Sequence, residues 1–199
     1  MVTIYYGSSG SGKSYMLRKN KPGKRPLVYT DNKEKQREWN EKGYMAMLLN
    51  DSVCDKWMDE KADCIFFDNI ELHITQMLHM IDRIKQYRGE DYPIVCCILM
   101  YTDQLWELFD SAERICYMAT GYDYYIKKIP EEFLDEKHRD AFLNPTIVSL
   151  KMVEYNRTED TWKYFCEDDM KMNQSEEKEY KAANAVVAEA GSSDFYKSE

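Results

Sequence analysis

The stretch that most constrains this chain is GSSGSGKS, residues 7–14. Its spacing, G-x-x-x-x-G-K-S, is that of a phosphate-binding loop. The residues before it, VTIYYG, read as a short β-strand, and those after it, KSYMLRKN, as a helix. A strand–loop–helix of this kind lets backbone N–H groups close around phosphate oxygens, and the helix N-terminus adds a favourable dipole. Gly7, Gly10 and Gly12 supply the backbone freedom for that turn, with Ser8, Ser9 and Ser11 between them. Lys13 is expected to reach the β and γ phosphates of a nucleoside triphosphate, and Ser14 to ligate Mg²⁺. The plain alternative is a Gly/Ser-rich turn with no ligand.

A second segment fits the first. CIFFDN, residues 64–69, is an apolar strand ending in an acid, the Walker B arrangement. Asp68 would then hold Mg²⁺, directly or through water.

Between and beyond these segments, strand-like and helix-like runs alternate. RPLVYTD is a second apolar run and NKEKQREWNEK a polar helix-like stretch; GYMAMLLN reads as a short extra strand. DSVCDKWMDEK begins with an N-cap candidate, Asp51 or Ser52, and reads as a helix. ELHITQMLHMIDRIKQY spaces Leu72, Met77, Met80, Ile81 and Ile84 at near-helical intervals. YPIVCCILMYTD is the most apolar run and predicts a strand buried on both faces. QLWELFDSAE reads as a short helix and RICYMATG as another strand. This order argues an α/β fold with a mostly parallel sheet covered by helices on both faces. Further on, PEEFLDEKHRDAFL is helix-like, while TIVSLKMVEYN and TWKYFCEDD flank a turn-like RTED and predict a β-hairpin extension. The expected organisation is a nucleotide-binding domain over residues 1–172, including the helix and hairpin of about 130–170, followed by a polar, fraying tail over 173–199.

Composition narrows the partners. A chain of 199 residues with 44% apolar and 32% charged side chains can bury one core. Its net charge of −9 is not the footprint of a dedicated nucleic-acid binder, so such contact must be local or built by assembling subunits. Cys54, Cys64, Cys96, Cys97, Cys116 and Cys166 contain no C-x-x-C pair and read as reduced thiols, most of them in apolar strands. His73, His79 and His138 match no zinc-ligand spacing. No apolar run reaches the eighteen or so residues of a membrane span, and no signal peptide is read, so a cytoplasmic protein is expected.

The order of the motifs, with PLVYTD between the loop strand and CIFFDN, and IVCCILMYT after it, resembles the additional-strand class of P-loop ATPases, the RecA-like and AAA-like motors. That resemblance covers roughly residues 1–125 and implies a five-stranded sheet ordered 5-1-4-3-2, with the sensor strand between the loop and Walker B strands. It also implies a water-orienting Glu, most often directly after the Walker B Asp. Asn69 stands there, and Glu71, two residues on, is the candidate; a first-turn helix acid is the equal alternative. The stretch YRGEDYPIVCCILMYTDQ is similar to FtsK/HerA-type viral DNA-packaging ATPases and to zonular-occludens-toxin-like phage proteins. In that branch the strand commonly ends in a Thr-Gln pair that senses the γ-phosphate. Here Asp103 splits Thr102 from Gln104. Arg114, after the post-sensor helix, is where ring motors place an arginine that acts on a neighbouring subunit, with Arg83 and Arg88 as other options and surface pairing as the plain reading.

The resemblance implies ATP and Mg²⁺ as cofactors, a homo-oligomeric ring, double-stranded DNA as the moved substrate, and a viral portal or capsid component as partner. RKNKPGKRP, the pair Lys127 and Lys128, and the aromatic GYDYYIKK offer phosphate and base contacts, or simply a solvated loop and edge packing. Three other readings stay open: a nucleoside or nucleotide kinase, for which no Arg-rich lid is visible, a phage assembly ATPase of the zonular-occludens type, and a nucleotide-gated binding module without turnover, which Asn69 motivates.

Overall fold

The parallel core of the computed structural model follows from continuous apolar strands, each too apolar to face water on either side. The structure describes residues 1–20, 22–49, 62–68, 70, 73–119, 123–143 and 150–166. Its strands are β1 (Val2–Tyr6), β2 (Pro26–Thr30), β3 (Met45–Leu48), β4 (Cys64–Asp68), β5 (Ile94–Ile98), β6 (Arg114–Met118), β7 (Leu150–Asn156) and β8 (Thr161–Cys166). They form one sheet in the order β3-β2-β4-β5-β1-β6-β7-β8. The five strands β6-β1-β5-β4-β2 run parallel, and β5, the sensor strand of the sequence reading, lies between the loop strand and the Asp68 strand.

The sheet has eight strands rather than five. β3 adds a parallel edge beside β2. At the other side β7 pairs antiparallel with β6, and β8 antiparallel with β7 across a turn at 157–160. These last two strands are continuous with the sheet because β7 pairs along the whole of β6, from Arg114↔Asn156 to Met118↔Met152.

The helices are α1 (Lys13–Lys19), α2 (Lys33–Glu41), α3 (Ile74–Arg88), α4 (Trp106–Ser111), α5 (Asp123–Lys127) and α6 (Glu136–Leu143), with a 3-10 turn at Asp103–Leu105. α2 starts where the Asn32 side chain accepts hydrogen bonds from the amides of Glu34 and Lys35, at 2.8 and 3.2 Å. The period-2 alternation of the strands sends residues to two cores. Ile4, Tyr6, Phe67 and Ile98 meet Met77, Met80, Ile81 and Ile84 of α3, with Leu108 and Phe109 of α4. Tyr5, Phe66 and Cys97 meet Met16 and Leu17 of α1 and Trp39 of α2 on the opposite face. Cys64, Cys96, Cys97 and Cys116 are thiols buried in the strands.

Two local readings change. The helix-like stretch 130–143 is helical only from Glu136, because the backbone turns over residues 131–133 and buries Phe133 and Leu134. Asp135 then restarts the helix by accepting from the amide of His138 at 2.9 Å. The aromatic run after β6 contains the short helix α5 rather than a strand edge. The helix expected over 51–61 and the tail over 173–199 lie outside the described residues. Among the described residues no helix is long and apolar enough to cross a membrane.

Candidate nucleotide-binding site

The C-terminal ends of the parallel strands converge on the loop 7–12. The Gly7 amide donates to the Ile98 carbonyl of β5 at 3.0 Å, and Ser11 N–H to the Ser8 carbonyl at 3.2 Å. Gly12 has φ of 95°, a left-handed conformation that favours glycine, and begins α1 with no side-chain cap. Gly7 is set by close approach: a Cβ there would lie 2.8 Å from the Cβ of Met118 and 2.9 Å from Ser11 Oγ. Ser11 Oγ can rotate away, but the Met118 Cβ is fixed to its backbone, so Gly7→Ala must displace the loop or β6. We expect it to destabilise the fold by about 1–3 kcal/mol in chemical denaturation and to weaken nucleotide binding with it.

Lys13 is buried, and its Nζ donates to the carbonyl of Ser8 at 2.8 Å and to that of Gly7. The ammonium therefore lies against the loop rather than out in solvent. One turn-position later, the Ser14 hydroxyl donates toward both oxygens of Asp68, at 3.2 and 3.1 Å. Asp68 ends β4 and is only 2% exposed. One further donor reaches it. The indole N–H of Trp39 donates to Asp68 Oδ2 at 2.8 Å. The Cys97 thiol stands beside it on β5; burial, and then the Asp68 charge, hold that thiol well above its ordinary pKa range, so it stays protonated.

Ser14 and Trp39 are neutral donors. They orient the carboxylate without supplying an opposite charge. A hydroxyl that gives its hydrogen to a carboxylate keeps its oxygen lone pairs, and an oxygen pair of this kind suits a hard divalent cation. The residues present thus fit Mg²⁺, with Ser14 and Asp68 as its holders, and the loop amides with Lys13 fit the phosphates.

The other sequence candidates are placed differently. Thr102 follows β5 directly after a segment tied to the loop strand, where the Tyr101 amide donates to the Tyr6 hydroxyl at 3.4 Å. Its own Oγ1 is buried and without a hydrogen-bond partner. Gln104 is exposed in the 3-10 turn, and no hydrogen bond among the described residues joins it to the loop. Arg114 opens β6 opposite Thr3, three residues before the level at which the strands meet the loop. At ~3.3 Å per residue it sits about 10 Å from the loop end of its own sheet, paired with Glu154 at 3.7 Å. Glu71 and Asn69 lie outside the described residues. Arg88 lies over the rings of Tyr87 and Tyr92.

Sequence reasoning missed Trp39 and Met118. Trp39 left one trace, since it is the only apolar residue in KEKQREWNE. Met118 left none, because it meets Gly7 through the pairing of β6 with β1.

No protein-family model matches the chain, and no curated protein matches it. Solved structures do resemble it. The genome packaging NTPase B204 from Sulfolobus turreted icosahedral virus 2, in complex with AMPPCP, matches with a TM-score of 0.59 at 12% identity, covering 82% of this chain and 95% of that one. The same NTPase in complex with ATP-gammaS matches with a TM-score of 0.59 at 14% identity and the same coverage. B204, the DNA-packaging ATPase from Sulfolobus turreted icosahedral virus, matches with a TM-score of 0.56 at 13% identity, again over 82% and 95% of the two chains. At such identities the likeness establishes a shared fold.

Proposed function

We propose that this chain binds and hydrolyses Mg-ATP as a viral or phage DNA-packaging ATPase, acting in the host cytoplasm as a homo-oligomeric ring. One observation carries the reading. The loop with Lys13 and Ser14 meets a buried Asp68 across a sheet whose sensor strand separates the two. The fold shared with a genome packaging NTPase supports it, because the likeness runs over nearly the whole of that protein.

In this reading the loop amides and Lys13 bind the β and γ phosphates and draw charge from the oxygens that become more negative as the γ-phosphoryl leaves. Ser14 and Asp68 would hold Mg²⁺, which would supply further neutralisation of phosphate charge. Glu71 orients the attacking water. Thr102 is the better placed of the two sensor candidates, since its buried hydroxyl has a bond to give, whereas Gln104 faces solvent. Arg114 stands too far along β6 to serve its own loop, and its role is toward a neighbouring subunit. Double-stranded DNA would be moved through the ring toward a portal or capsid component, with contacts through phosphates.

Phosphate release from Mg-ATP by the full chain, at concentrations where it assembles, should rise severalfold on adding double-stranded DNA. An assembled ring with no DNA response would overturn the packaging role. Phosphoryl transfer to a nucleoside by the monomer would overturn it in favour of a kinase.

A further inference from the structure

Trp39 sits in an otherwise polar helix segment, yet it is 3% exposed. Its ring is fixed on several sides. Tyr44 packs edge-on with centroids 4.9 Å apart, and Phe66 of β4 packs at 6.5 Å. The Arg18 guanidinium lies over the ring at 5.9 Å from its centroid. Arg18 belongs to α1, the helix that begins with Lys13 and Ser14. Phe66 stands two residues before Asp68 on the same strand. The indole therefore spans the phosphate-loop helix and the acidic strand, held by both.

The indole fills more volume than a phenyl ring, and it also carries an N–H, which a phenyl ring lacks; that N–H is spent on Asp68 Oδ2 at 2.8 Å. The Ser14 hydroxyl meets both carboxylate oxygens at nearly equal distance and does not choose between them. The indole bond is to one oxygen only, so it sets the rotation of the carboxylate. A carboxylate held by a donor in this way is already oriented before a cation arrives.

We infer that Trp39 is a positioning residue of the Mg²⁺-nucleotide site, its indole N–H fixing the Asp68 carboxylate for the cation. The inference rests on the Mg-ATP reading above, and on a residue from a helix outside both phosphate-site motifs.

Trp39→Phe keeps an aromatic ring and removes the donor. Mg²⁺ is titrated by calorimetry into the full chain holding a non-hydrolysable ATP analogue, and analogue affinity is measured separately in EDTA. The Mg²⁺ midpoint should rise about tenfold, while the metal-free affinity stays within about twofold of the native chain. A purely structural Trp39 would leave the midpoint within about twofold, and that result overturns the role. If the native chain binds no nucleotide with or without Mg²⁺, the Mg-ATP reading itself fails and the inference with it. Binding that Mg²⁺ strengthens equally in native and variant chains overturns the role of Trp39 alone.

Should Trp39→Phe not fold, the native chain answers by NMR of its ¹⁵N-labelled indoles. Asp68→Asn identifies the Trp39 signal as the one it shifts. Adding Mg²⁺ to the analogue complex should then move that signal. An indole signal indifferent to Mg²⁺, or no indole signal that responds to Asp68→Asn, overturns the role.

Discussion

Lys13→Ala should weaken binding of an ATP analogue by roughly 30-fold or more while moving the melting temperature by only a few degrees. The size follows from truncating one partner of a buried, hydrogen-bonded charge pair, which costs about 2–5 kcal/mol, and ~1.4 kcal/mol is a factor of ten. The small effect on stability follows from what Lys13 does within the chain. Lys13 is 8% exposed, and its ammonium donates to the carbonyls of Gly7 and Ser8. Those bonds compensate a cation that is costly to bury, so removing cation and bonds together changes folding little. A bound triphosphate is different, because its charge has no substitute for the missing ammonium. Calorimetry with the analogue, beside thermal unfolding of both proteins, separates the two effects. Unchanged affinity in a folded variant would mean that the loop does not cradle phosphate.

The loop was legible in the sequence because its chemistry is local. Eight contiguous residues carry the turn, the amides, the ammonium and the hydroxyl, and neighbouring strand and helix patterns fix their context. Asp68 was legible for a related reason: CIFFD is apolar up to the point where the strand leaves the sheet, and its acid falls at that end. The parallel core was readable from runs such as IVCCI, which only a two-sided burial explains. What joins distant segments was not readable. The Trp39–Asp68 bond spans 29 residues of sequence, and the mostly polar α2 gave no clear stripe to predict which face it buries. The sheet has eight strands rather than five because β3 docks on β2 at one edge and β7, carrying β8, docks along β6 at the other, pairings fixed by non-local register rather than by any strand's own pattern. α5 was missed because YYIK is apolar and aromatic over too few residues for periodicity to tell helix from strand. The different burial of the two sensor candidates was not readable either. Thr102 and Gln104 are two residues apart, and a 3-10 turn places one hydroxyl inside and the amide outside.

Asp68→Asn should move function and stability in opposite directions. The side chains are nearly the same size, so the packing around β4 is kept. The buried charge is not. Asp68 is 2% exposed, and the neutral donors Ser14 and Trp39 hold its carboxylate without cancelling its charge. Desolvating an ion costs several kcal/mol unless it is well compensated, a cost the neutral amide does not carry. The amide can still turn its oxygen to the Trp39 N–H. We therefore expect a melting temperature equal to the native one or higher, where ~1 kcal/mol corresponds to about 2–4 °C for a chain of this size. Mg²⁺ loses its only charged ligand among the assigned holders, Ser14 and Asp68. Its midpoint with the ATP analogue should rise roughly 30-fold or more, and Mg²⁺-dependent phosphate release should fall with it. Analogue binding in EDTA should hold, because Lys13 and the loop amides are untouched. Thermal unfolding, a Mg²⁺ titration and a phosphate-release assay on the one variant test all of this. A destabilised variant that still binds Mg²⁺ at the native midpoint would assign Asp68 to the core instead of the metal.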